Sequence, residues 1–213
     1  MMFAAFLLSA LFADPAAATQ PKRETVLEFA TCVRRRAPDR VRELLATEPG
    51  GEQEQRIMSV IAGAYNACIT GRRSLSLQTG MFRGQVAEMA LRDEPQMREA
   101  AEALPGSPPL KPNVGSLEQQ ISKLPAERRD GRFIEYFRPV YARCVAGANP
   151  RGVAALLPTV PASAEERGAI VAIGETLMQC MPVGVSYRII ASELRPYLMS
   201  ALYYTAAQAR AKG

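Results

Sequence analysis

The sequence predicts an all-α protein in which a four-helix unit occurs twice, about residues 29–91 and 141–203, the two copies packed about a pseudo-two-fold axis as one helical domain. Three observations carry this expectation. Sliding the chain by 112 residues lays 29–91 on 141–203 without a gap, and 14 of the 63 positions are then identical. Apolar residues recur at the i, i+3, i+4 spacing of helices, whereas the strand-like runs, Leu75-Ser-Leu77 and Arg188-Ile-Ile190, are short and ambiguous. Helix-start and helix-stop residues also fall at matching places in both copies. A repeat this long exceeds the 20–50 residues of solenoid repeats, so it reads as two units and not an array.

From the N-terminus, Phe3–Phe12 is an apolar run broken only by Ser9, followed by Asp14, Pro15 and Ala16-Ala17-Ala18. An apolar core, a helix-breaking proline and small residues before a cut read as a signal peptide over 1–18, cleaved near Ala18 and directing the chain to the periplasm. As a helix the run would rise about 15 Å, too short for a bilayer core of about 30 Å. The first copy then occupies 19–103. The segment LPGSPPLKPNVG (104–115) is dense in Pro and Gly and reads as a linker or rigid crossover. Within 116–213, the second copy gains an extra helix opened by the Ser116–Gln119 capping box and ended by Pro125.

Within each unit the first helix is marked by Phe133, Phe137, Tyr141 and Cys144 on one face. The second starts at Asn149, an N-cap, with Pro150 at N1. The third opens with the Ser163-Ala-Glu-Glu166 capping box. In the first copy it carries Ile57, Ile61, Ala64 and Cys68 on one stripe and stops at Gly71. The fourth places Leu194, Leu198, Ala201 and Leu202 together, matched by Phe82, Val86, Met89 and Ala90.

Cys32 and Cys68, like Cys144 and Cys180, are separated by 36 residues. No C-x-x-C occurs, which excludes a thioredoxin-type pair and a zinc ribbon. Four cysteines allow three connectivities, and only Cys32–Cys68 with Cys144–Cys180 respects the duplication. Four buried free thiols are the alternative reading.

The chain has 213 residues, no His and no Trp. Without imidazole, Ser-His-Asp and Cys-His catalysis and His-ligated metals are excluded. Phosphate loops, dinucleotide fingerprints and acidic calcium loops are absent, and no cofactor or metal is implied. The net charge of +5 is spread over both halves, which does not describe a nucleic-acid domain with clustered charge. Glu54 and Glu166 recur between the copies, with Glu52 and Glu165 nearby. Their place at N3 of a helix accounts for them without acid–base chemistry. Arg83 and Arg195 recur near the start of the last helix, where the dipole disfavours a cation; they either pair with a carboxylate or bind an anion. Arg34-Arg35-Arg36, joined by Arg40 and Arg42, is the densest basic run. It faces Ala146-Gly147-Ala148 in the second copy, so it is particular to the first.

The pattern A-x-C-V-x4-P-x2-V-x2-L-L from Ala30, the second Cys 36 residues on, and R-G-x-x-A-E from Arg83 to Glu88 resemble uncharacterised exported proteins of sphingomonad-type alphaproteobacteria. The resemblance implies a periplasmic setting and brings neither an activity nor a site. The second copy departs from it, with Arg195-Pro196 for Arg-Gly and Ser200 for the Glu. The functional expectation is a non-enzymatic periplasmic interaction or structural protein whose partner is an envelope protein or an anionic surface. A carboxylate- or Ser-dependent periplasmic hydrolase and a module binding an anionic ligand are the alternatives.

Overall fold

A computed structural model describes residues 15–69, 78–129, 132–185 and 190–212. Among these residues the chain is helical, with no strand. The N-terminal half contributes α1 (Pro15–Arg36), α2 (Pro38–Ala46), α3 (Glu52–Ala64), a 3-10 turn (Asn66–Cys68) and α4 (Thr79–Asp93). Two short helices follow, α5 (Pro95–Ala103) and α6 (Val114–Ser122). The C-terminal half contributes α7 (Arg132–Ala148), α8 (Pro150–Ala154), α9 (Ala164–Ala172), α10 (Gly174–Cys180) and α11 (Ala191–Lys212).

The centre of the molecule is the pair α4 and α11, which form the most extensive helix–helix interface. Both are buried nearly all round: Phe82 to Glu88 in one and Leu194 to Leu202 in the other. A helix buried on every side shows no apolar stripe, and the polar residues it retains are expected to find partners inside; here all but the Gln85 amide nitrogen do, among the described residues. One apolar cluster gathers α1 to α4, with Phe29, Leu44, Ile61 and Phe82 at its middle. A second gathers α5 to α11 around Phe137, Leu156, Ile173 and Leu198, and Met81 and Tyr203 touch both clusters. The stack Phe133–Phe137–Tyr141, with ring centroids 5.6 and 5.2 Å apart, runs along the inner face of α7.

Both cystines form at the expected pairs. Cys32 is bonded to Cys68 and Cys144 to Cys180, with Cα atoms 5.6 and 5.8 Å apart and no free cysteine. They tie α1 to the 3-10 turn and α7 to α10. Closing a loop of this length stabilises by about 4 kcal/mol in the chain-entropy description. Disulfides persist in oxidising compartments, and among the described residues no helix is long and apolar enough to cross a membrane. Both facts fit an exported protein.

Several boundaries differ from the sequence reading. The third helix of the first half ends at Ala64, which is exposed, and Cys68 reaches the core from a 3-10 turn. Tightening to three residues per turn shifts the phase and brings Cys68 inward where a continuous helix would not need to. In the second half the corresponding stretch breaks between α9 and α10 at Ile173. Gly71, Ser74 and the Leu75–Leu77 run lie outside the described residues, as do Ser186, Arg188 and Ile189. Pro15 is the first described residue of α1, and the Phe3–Phe12 run before it lies outside the described residues. The extra helix α6 begins two residues before Ser116, its N-cap being Asn113, whose Oδ1 accepts from Ser116 N at 3.1 Å. Helix α5 was not anticipated: Pro95 sits at N1, and the short Met97/Ala101 stripe is masked by its many Ala and Glu.

Candidate functional site

Helices α4 and α11 carry Arg83, Gln85, Glu88, Arg195 and Ser200 into the interior, and the two arginines are the largest fully buried side chains among the described residues. Each is placed by the same local design. A short helix (α2 or α8) ends in a turn whose last carbonyls have no partner along the chain, and such a terminus attracts a cation. Arg83 Nη1 donates to Leu44 O at 2.5 Å and Thr47 Oγ1 at 2.8 Å, and its Nη2 donates to Leu45 O at 3.1 Å and Thr47 O at 2.7 Å. Arg195 Nη2 donates to Leu156 O at 2.9 Å and Thr159 O at 3.1 Å, and its Nη1 donates to Thr159 Oγ1 at 2.8 Å. Thr47 and Thr159 in turn donate to Leu44 O and Leu156 O. Every number in the second set is that of the first plus 112.

The carboxylates at the start of α3 and α9 complete the arrangement. Glu54 accepts from Gly50 N and lies 3.7 Å from Arg83 Nε. Glu166 accepts from Ala162 N at 2.6 Å and holds Arg195 Nη1 at 3.0 Å. Both are at N3, as the capping reading required. Ser163 does cap α9 by accepting from Glu166 N, but Gly51 leaves α3 without a side-chain cap. The residue whose N–H each carboxylate receives is left-handed in both halves, Gly50 at φ 82° and Ala162 at φ 65°.

The remaining edge of each guanidinium crosses to the other half. Arg83 Nε donates to Ser200 Oγ of α11 at 2.7 Å. Arg195 donates through Nε and Nη2 to Glu88 of α4 at 2.7–3.2 Å, and Arg92 reaches the same carboxylate at 2.9 Å. Positions 88 and 200 are again 112 apart. Between them the helices touch at Gly84 and Pro196, also 112 apart: a Cβ on Gly84 would lie under 3.0 Å from the backbone of Pro196. Glycine is required here because the neighbouring backbone occupies the place of its side chain.

The electrostatics of the two sites differ. Burial pushes the Arg83 guanidinium below its ordinary value against the pull of Glu54, and burial likewise raises the Glu54 carboxyl, opposed by Arg83 and the Gly50 N–H. For Arg195 burial acts downward too, but Glu88 and Glu166 outweigh it and the net direction is up. With two arginines, two glutamates and Thr159, the second site is a compensated ion cluster. The first holds one ion pair, with neutral Ser200 in place of a second carboxylate. All five N–H groups of each guanidinium are directed at protein acceptors, so neither site retains a donor for a solution anion.

No protein-family model matches the chain, and no curated protein or solved structure matches it either.

The surface of the described residues also carries concavities. A hollow of about 350 Å³ lies among α3, α4, α7 and Leu124, where Ser59, Tyr136 and the paired Arg132 and Glu135 meet. A groove of about 460 Å³ runs between α1, α2, α4 and Tyr203 of α11, with Arg34, Arg35, Arg42 and Glu94 among its lining. Among the described residues no group of three or more Cys, Asp or Glu could hold a metal ion.

Sequence reasoning singled out Arg83, Arg195, Glu54 and Glu166 but not that they meet; it named Glu88 and Ser200 only as the end of a pattern and its replacement, and it missed Thr47 and Thr159. The signal for the threonines was present, since Thr47 and Thr159 are identical at the 112-residue offset. For Glu88 and Ser200 the signal was the pattern that ends at one and departs at the other, and nothing in the chain pairs either with the arginine of the other half.

Proposed function

We propose that the chain is a tandem duplication of one helical unit, joined about a pseudo-two-fold axis at Gly84 and Pro196, that serves as a non-enzymatic interaction or structural protein in the bacterial periplasm. The observation that carries this reading is that the described polar residues common to the two halves, Arg83/Arg195, Glu54/Glu166 and Thr47/Thr159, direct their hydrogen bonds to one another, to helix ends and to Ser200 and Glu88. They hold the scaffold, and their chemistry is internal to it. The duplication is supported by the constant offset in both buried sites, in both cystines and in the left-handed residues. The compartment is supported by the two disulfides and by the signal-like Phe3–Ala18 segment, which lies mostly outside the described residues.

Fractionation of an expressing bacterium tests the reading. The protein is expected in the periplasm, beginning near Thr19, with Cys32–Cys68 and Cys144–Cys180 peptides recovered by non-reducing mapping. Cytosolic protein with Met1 intact and four alkylatable thiols would overturn the compartment. Hydrolytic turnover of a chromogenic ester or glycoside by the purified chain, abolished by Glu135→Gln or Ser59→Ala, would replace the scaffold reading with the hydrolase.

A further inference from the structure

Between α5 and α6 the chain crosses residues 104–113 without regular structure, yet both ends of this strap are fixed. Helix α5 packs on α8 and α11 of the C-terminal half, and Leu104, just beyond it, is buried in the core of that half. Ser107 N donates to Gly147 O at 2.9 Å, and a Cβ on Gly106 would lie 2.7 Å from Ala148 O, so the strap starts flush against the end of α7. At the far end Pro112 is buried and Asn113 caps α6.

Four prolines set the backbone between these anchors. Their rings hold φ near −65° at Pro105, Pro108, Pro109 and Pro112. Each also keeps the residue before it (Leu104, Ser107, Pro108 and Lys111) out of the helical region and in the extended one. Leu104 has φ −57° and ψ 131°, none of residues 104–113 has a positive φ, and no peptide bond is cis. This is the polyproline II conformation, a helix of three residues per turn without internal hydrogen bonds. Residues i, i+3 and i+6 therefore share a ridge. Gly106 and Pro112 lie on the ridge that meets the protein. Pro105, Pro108 and Lys111 form another, and all three are exposed, with Leu110 beside them at 84% exposure. Lys111 has no ion-pair partner among the described residues.

We infer that the 104–113 strap is a polyproline II ligand, read by a partner protein through a groove of aromatic side chains. The Pro105/Pro108 ridge fits the slots between aromatic rings, Leu110 adds an apolar anchor, and Lys111 meets an acidic residue at the end of the groove. Both ends of the strap are held by the fold, so little conformational freedom is left to lose on binding. This role rests on the interaction protein proposed above, and not on its duplication.

The chain has no Trp, so in a mixture tryptophan emission reports the partner's groove alone. The probes are purified SH3 and WW domains with a tryptophan in the groove, titrated with the full chain. A saturable emission change is expected with at least one of them. Pro105→Ala with Pro108→Ala should weaken it at least about tenfold, the size of losing one anchor residue, and so should Leu110→Asp, which leaves every proline in place. Val60→Ala, exposed on α3, should leave it within about twofold. A free peptide of residues 103–113 should bind at least about threefold more weakly than the chain, because it loses freedom that the anchored strap lacks. In the expressing bacterium, a benzoylphenylalanine cross-linker in place of Leu110 should capture a protein that, once purified, reproduces this titration and its loss with the proline variant. No emission change with any domain, a change indifferent to the strap variants, a peptide that binds as tightly as the chain, or no more cross-linking from position 110 than from position 60 overturns the inference. Absence of strap binding in a chain recovered from the periplasm with both cystines removes this role alone. Hydrolytic turnover with strap binding intact removes the non-enzymatic reading and leaves the strap.

Discussion

Replacing Gly84 with alanine tests the contact on which the two halves turn. The new Cβ would meet the oxygen, carbon and Cβ of Pro196, all under 3.0 Å and two of them backbone, so no side-chain rotation relieves the clash. Restoring ordinary contact requires α4 and α11 to part by about 1 Å. The Arg83–Ser200 and Arg195–Glu88 bonds, at 2.7 and 2.7–3.2 Å, cross the same interface, and such a shift takes most of them beyond hydrogen-bond range. Overpacking of this kind costs about 1–3 kcal/mol, and weakening bonds to a buried charge adds about 1.5–3 kcal/mol. A total of about 2.5–6 kcal/mol is a large part of the roughly 5–15 kcal/mol that holds a typical domain together. The measurement is equilibrium urea unfolding with the disulfides intact. Gly63→Ala is the internal control, because nothing lies within 4 Å of its Cβ position and it is exposed on α3; there alanine should stabilise by about 0.5–1 kcal/mol. If Gly84→Ala matched wild type to within about 0.5 kcal/mol, the close approach and the coupling of the two arginines through it would both be wrong.

Three further outcomes follow from the buried sites. Arg195→Met leaves Glu88 and Glu166 buried with less compensation, and should destabilise by about 3–5 kcal/mol; adding Glu166→Gln and Glu88→Ser should restore more than half, and a single-variant loss under about 1 kcal/mol in the same urea assay refutes the ion cluster. Ala162→Gly relieves a left-handed alanine at φ 65° and should raise stability by up to about 1 kcal/mol, while Gly50→Ala, at φ 82° and against Pro139, should lower it; equal effects of the two changes in thermal melts would contradict the backbone geometry. Burial raises the Glu54 carboxyl above its ordinary value, so the folded state binds its proton more tightly than the unfolded chain does. Its contribution is therefore complete below the unfolded value and is lost as pH rises through the folded one. The stability of wild type relative to Glu54→Gln should fall with rising pH across the mildly acidic range, and a flat or rising difference would show the sign to be wrong.

What the sequence determined by itself is what repeats along it. Helical periodicity, the Asn149-Pro150 and Ser163 starts, and the 36-residue cysteine spacing are local or self-referential signals, and the helices and both cystines formed accordingly. Packing decided the rest. A 3-10 turn in place of a longer helix before Cys68, and the seating of α5 on the opposite half, depend on which surface each segment meets. The pairing of Arg83 with Ser200 and of Arg195 with Glu88 bridges 117 and 107 residues, between positions that carry no mark of one another in the chain. An arginine's charge is legible in a sequence, but whether it ends in solvent, on a helix end or against a carboxylate is set by the burial of the helix that carries it. Here α4 and α11 are buried because they pack on each other and on α1, α5 and α7, and that is a property of the folded chain.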